Sequence, residues 1–156
     1  MTEDEVIRLA AGLPGVRVET ATGSTGAPEV AWGDSFIYYD LEGAPLDSRF
    51  PFATVVVTNY PGFDEASDLD RDGVFRLNVS VGRQRFTELF GYPPVQHDEH
   101  THDLDYTVLD TVLPHPVYAK QGWVSILNPG ELTSDLARTL IVEARDRTAA
   151  RRRPHS

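Results

Sequence analysis

Cysteine is absent from the 156 residues, which removes disulfides and thiolate metal sites from consideration. The 14 basic residues include a single lysine, Lys120. No apolar run approaches the ~18 residues needed to span a bilayer. The opening residues carry Glu3, Asp4 and Glu5, where a secretory leader carries bases, so the expected location is the cytoplasm. Also missing are a phosphate-cradling glycine loop, a dinucleotide fingerprint, a nucleophile elbow and a zinc-binding helix motif. The glycines at 12, 15, 23 and 26 lack phosphate-loop spacing, and Ser67, Ser80 and Ser125 have no base placed beside them by sequence. Covalent serine catalysis is unsupported, and no cofactor is called for.

What is present is acid. The formal charge is -10. From Arg145 onward there are five arginines and one acid, Asp146, giving +4, so residues 1–144 carry -14. Such a body repels a phosphate backbone and disfavours nucleic acid as a partner. The arginines read as a solvated helix end that complements the helix dipole.

Local patterns predict mixed α and β structure. Thr2 and Glu5 have capping-box spacing, and Val6, Ile7, Leu9, Ala10 and Leu13 continue at helical spacing until Pro14 and Gly15. Val16–Glu19 suggests a short strand. Stronger strands are expected at Ser35–Asp40, at Ala53–Asn59 (whose β-branched run implies burial on both faces) and at Val74–Val81. In the last, Phe75, Leu77, Val79 and Val81 share one face, while Arg76, Asn78 and Ser80 share the other. A short helix over Arg83–Leu89 ends at Gly91, and the histidine-bearing stretch Tyr92–Asp105 reads as a long loop. Pro114 and Pro116 keep their segment extended or turned, and Trp123–Leu127 is a last strand. A helix capped by Thr133 or Ser134 then runs to about Arg151, with Leu132, Leu136, Leu140, Ile141 and Ala144 as its buried stripe. Strands do not alternate with crossover helices. The expected fold is therefore α+β: one antiparallel, or possible mixed, sheet of about four to six strands with both terminal helices on one face. Residues 1–150 are expected to form one domain, followed by a mobile basic tail over 151–156.

Four groups carry potential chemistry. Asp68, Asp70 and Asp72, with Gly73, have the opening spacing of a calcium loop, but Val79 stands where the bidentate glutamate belongs; an acidic turn is the plainer reading. His97, His100 and His102 supply imidazoles for a metal, although no single rigid element presents all three, and a solvated loop is the alternative. His115 is pinned between two prolines, with Tyr118 and Trp123 nearby to wall a pocket; it suits an acid/base or ligand-gripping role or, more plainly, a structural one. The Arg76–Asn78–Ser80 face is either a ligand floor, with Arg76 binding an anion, or a solvent face.

The strings Ser67–Arg83, Leu109–Thr133 and Pro51–Val57 together resemble an actinobacterial domain family of unknown function, over nearly the whole chain. In that family a proline is common at the position of Asp72. The ending, in which the Trp123–Leu127 strand and a turn lead into a terminal helix, is similar to the MmcQ/YjbR-like group. That similarity implies a small frataxin-like α+β fold and, by fold analogy, a DNA-binding-like role.

Taken together, these features favour a small-molecule-binding protein of bacterial, even specialised, metabolism. Tyr38, Tyr39, Tyr118 and Trp123 supply aromatic surface, and the polar strand face supplies orientation. The alternatives are a cofactor-independent isomerase, cyclase or dehydratase with His115 and Tyr118 as catalytic groups, and a protein-interaction or DNA-linked module. A ligand site is expected to unite His115 and Tyr118 with Arg76 and Asn78, with Trp123 as a wall and Asp70 or Asp105 as the carboxylate near His115. The sequence leaves the ligand and the oligomeric state open.

Overall fold

The computed structural model describes residues 1–40 and 50–151. Thr2 caps the first helix, α1 (Glu3–Ala11), through the reciprocal capping box with Glu5. Strands β1 (Val16–Thr20) and β2 (Ser35–Tyr39) follow, then β3 (Ala53–Val56), β4 (Arg76–Ser80) and α2 (Gly82–Phe90). Strands β5 (Val112–Pro114) and β6 (Trp123–Leu127) precede the long helix α3 (Ser134–Arg151). The six strands form one sheet in the order β1-β2-β3-β4-β6-β5, and every pairing is antiparallel. The fold is therefore α+β. Among the described residues no helix is long and apolar enough to cross a membrane.

Strand alternation gives the sheet two unlike faces. Ile37, Ala53, Val55, Leu77, Val79, Val124 and Ile126 point to one side, where they join Val6 and Ala10 of α1 and Leu140, Ile141 and Ala144 of α3 in one apolar cluster. Both terminal helices thus cover the same face. The stripe of α3 differs from expectation: Ala137, Leu140, Ile141 and Ala144 are buried, whereas Leu132 lies before the helix and is exposed. The Val55–Val56 pair in β3 is buried on both sides, but Thr54 is only half-buried.

The basic end of α3 is docked as well as solvated. Arg145 donates to the Pro14 carbonyl and lies over the Tyr39 ring, and Arg147 donates to the Ser80 carbonyl and hydroxyl. Tyr39 is thereby a core residue. The tail expectation falls on residues 152–156, outside the described residues, and on Arg151, which closes α3.

Asp110 organises the start of α3 from a distant loop. With φ of 52°, its carboxylate accepts the N–H groups of Gly130, Leu132 and Thr133 and the Thr133 hydroxyl. These bonds hold its pKa down at about 2. They also satisfy donors that the helix start would leave unpaired. Asp110→Ala should therefore lower the melting temperature by several degrees at neutral pH. Calorimetry should show the difference shrinking as pH falls towards 2, where the wild-type carboxylate is protonated.

Candidate functional site

The second face of the sheet is polar at its centre. Registered pairs place Phe36, Thr54, Asn78, Ser125 and Leu113 in one row across five strands. Val56, Arg76 and Leu127 form the neighbouring row. Two excursions cover this face. The β3–β4 connection folds Leu69 onto Val56 and Leu127. The β5–β6 connection brings back His115, Tyr118 and Gln121. Between them lies a cavity of about 460 Å³ whose lining includes Phe36, Thr54, Asp64, Arg76, Asn78, His115, Tyr118 and Trp123.

Arg76 is 1% exposed. Its Nη1 donates to Asp64 Oδ1 and to Ser67 Oγ, each at 2.9 Å, and its Nη2 donates to Asp64 Oδ2. Asp64 is held in place by its own turn. Tyr60 and Asp64 exchange both backbone bonds, and Gly62 supplies the positive φ of 75° that closes the bend. A second carboxylate, Asp34, accepts the Tyr60 hydroxyl and the Val57 N–H. Burial raises the Asp34 pKa, opposed by those two bonds; the Tyr60 phenol is raised by burial and by Asp34. The charge of Arg76 is thus matched by a bidentate carboxylate. Arg76 is therefore one side of a buried ion pair, and its face of the strand is covered and not a solvent face.

His115 is 2% exposed. Pro116 has no N–H, so the first donors after it are those of Val117 and Tyr118. Both point to His115 Nδ1, at 3.0 and 2.9 Å. Nδ1 is therefore the acceptor, and the proton of the neutral ring sits on Nε2. Burial, reinforced by the charge of Arg76, lowers the pKa to about 3. At neutral pH the ring is an uncharged Nε2–H donor with its other nitrogen occupied. This arrangement matches the plainer, structural reading of His115 and leaves Nε2–H as the one ring group able to meet a ligand. Its ring centroid lies 5.0 Å from that of Tyr118 and 6.4 Å from that of Trp123.

Several polar atoms on this face have no partner among the described residues. Asn78 Nδ2 donates to Thr54 Oγ1 at 2.9 Å, leaving the other end of the amide, like Arg76 Nε and Ser125 Oγ, buried and unpaired. The walls are aromatic: Phe36, Phe50, Tyr60, Phe63, Tyr118 and Trp123. Phe63 and Tyr118 meet edge to face at 6.2 Å and are 58% and 41% exposed.

Of the expected residues, Arg76, Asn78, His115, Tyr118 and Trp123 surround this one cavity. Asp70 is exposed and lies outside its lining. Asp105 accepts the N–H and hydroxyl of Thr107, and the carboxylate beside Arg76 and His115 is Asp64. The aspartate turn also differs from a cation loop. Arg71 sits within it, donating to the carbonyls of Asp68, Ser67 and Thr107. Nor is the histidine stretch a solvated loop. Pro94–His100 forms a 3-10 helix. There His97 is buried with its nitrogens on the Tyr92 and Tyr106 hydroxyls, and His100 stacks on Tyr92 at 3.9 Å. His102 is exposed. Among the described residues no group of three or more His, Asp or Glu side chains is placed to hold a metal ion. Phe36, Phe50, Phe63, Tyr60 and Asp64 were not anticipated as cavity residues. The Pro61-Gly62 turn was the available signal for the last three.

Fold and site together define a small α+β domain with a single antiparallel sheet and an aromatic-walled cavity on the face opposite its helices. The chain matches the family of unknown function DUF6194 over residues 1–156 and belongs to that family. No curated protein and no solved structure matches the chain.

Proposed function

We propose that this protein is a small-molecule-binding domain whose ligand occupies the cavity on the polar sheet face. The observation that supports it most is the pairing of six aromatic walls with buried polar atoms, Arg76 Nε and one end of the Asn78 amide, that lack a partner among the described residues. Buried polar groups are ordinarily satisfied, and a few convergent polar groups in an apolar cleft are the usual make-up of a ligand pocket. An enzymatic reading is weaker because His115, its expected proton carrier, is neutral and has Nδ1 occupied.

The same proposal takes residues 1–150 as one domain with a basic tail over 151–156, working in the cytoplasm of an actinobacterium and serving specialised metabolism. It includes kinship with the MmcQ/YjbR-like, frataxin-like group, for which the sheet and its two terminal helices on one face speak. A DNA-linked role is disfavoured by the acidic body.

The neutral fluorophore N-phenyl-1-naphthylamine is a direct probe. It should brighten on binding the wild-type protein. Phe63→Ala and Tyr118→Ala should each weaken that binding on the order of tenfold, with little change in melting temperature because both rings are substantially exposed. No binding by the wild type, or binding indifferent to both variants, would defeat the proposal. Native mass spectrometry of freshly purified protein offers a second readout through any co-purified mass.

A further inference from the structure

The polar floor of the cavity discriminates by charge. Arg76 contributes a guanidinium, but both of its terminal nitrogens are engaged, Nη1 and Nη2 by Asp64 and Nη1 also by Ser67. Three of its five N–H bonds are used in this way, and the Nε–H is buried and without a partner among the described residues. His115, with Nδ1 accepting two backbone N–H groups, adds a second N–H at Nε2. No hydrogen bond links that nitrogen to another described residue. Asn78 adds one free end of its amide. The floor therefore offers the Arg76 Nε–H, the His115 Nε2–H and one end of an amide, with its cationic group already matched by Asp64.

We infer that the ligand of this cavity is an uncharged molecule with a flat aromatic body and a carbonyl-type oxygen, the oxygen meeting the His115 and Arg76 N–H donors while the body lies between the aromatic side chains. This inference rests on the small-molecule reading above. A carbonyl oxygen accepts two hydrogen bonds, so it suits two donors without bringing charge. A carboxylate would add a second anion beside the Asp64–Arg76 pair, in a place where an uncompensated charge is poorly solvated. A quaternary ammonium would find ring faces, the known environment for such cations, but it has no acceptor for the two donors and would bring its charge near Arg76. The Arg76 and His115 N–H groups would then stay unpaired, which is itself unfavourable.

Three naphthalene derivatives of similar size separate these cases: 2-naphthamide, 2-naphthoate and (2-naphthylmethyl)trimethylammonium. Titration calorimetry at neutral pH, with displacement of N-phenyl-1-naphthylamine as a second readout, gives their affinities. The amide should bind the wild type on the order of tenfold tighter than either ion. Asp64→Asn leaves the charge of Arg76 uncompensated, so it should narrow or reverse the margin over 2-naphthoate, measured on the folded fraction. If this variant does not fold, the wild-type ranking decides alone. A carboxylate or ammonium that matches or exceeds the amide in the wild type overturns the ligand class. If N-phenyl-1-naphthylamine still binds in a manner sensitive to Phe63 and Tyr118, the cavity reading survives that result. If neither the fluorophore nor any derivative binds, both fail together.

Discussion

Asp64→Ala is expected to cost about 3–5 kcal/mol of stability, the usual penalty for removing one partner of a buried ion pair. Arg76 lies at the centre of the sheet, on a strand bonded to both neighbours, and is 1% exposed. Without Asp64, Ser67 Oγ is the one acceptor among the described residues that remains on its guanidinium, so a full charge would stay buried with one neutral acceptor. In a chain of this length each kcal/mol moves the melting temperature by about 2–4 °C, so the fall should be on the order of 10 °C. The double replacement Arg76→Met with Asp64→Leu should recover much of the loss, since the penalty comes from the stranded charge rather than from missing attraction. Urea denaturation of the single and double variants measures both. A loss below about 1 kcal/mol for Asp64→Ala, as for a surface pair, would mean that water reaches Arg76.

Acid should unfold the protein earlier than its carboxylates alone require, because His115 is buried in the neutral form. Its folded pKa, about 3, lies below the roughly 6.5 of an unfolded histidine. Between those values the unfolded chain binds a proton that the folded chain refuses. Stability therefore rises with pH across that window and is lost as pH falls through it, by up to about 1.4 kcal/mol per pH unit from this group. His97, whose pKa burial also lowers, acts in the same direction. His115→Gln lacks the titrating ring, so its stability should fall less steeply between pH 6 and 4 than that of the wild type, although it starts lower. Parallel slopes for the two proteins, from urea midpoints at several pH values, would show that His115 is not held neutral.

Much of the framework could be read from local pattern, because local physics determines it. The Thr2–Glu5 capping box, the alternation through Arg76–Ser80 and the Trp123–Leu127 strand each rest on neighbours in sequence. The alternation also assigned Arg76 and Asn78 to the face away from the helices, and the two prolines marked His115 as fixed. What stayed hidden depends on distant contacts. Asp64 is one aspartate among several in an irregular connection, and nothing in its neighbours says that its turn returns over Arg76. Asp70 drew notice by calcium-loop spacing, yet Arg71 fills that turn with its own hydrogen bonds. Asp110 caps a helix more than twenty residues downstream, which no capping rule for adjacent residues can find. Tyr38 and Tyr39 counted as aromatic surface by composition. The wall from that strand is Phe36, while Tyr39 packs in the core beneath Arg145.

The two tryptophans provide the most direct test of the claim that the polar-face cavity holds a ligand. Trp123 lines the cavity; Trp32 lies outside its lining, with its indole N–H on the Ala27 carbonyl. In an ¹⁵N-labelled sample the two indole N–H groups give separate resonances. Adding 2-naphthamide should shift the Trp123 resonance in a saturable manner and leave that of Trp32 in place. A titration that moves Trp32 alone, or neither signal at millimolar probe, would contradict the account.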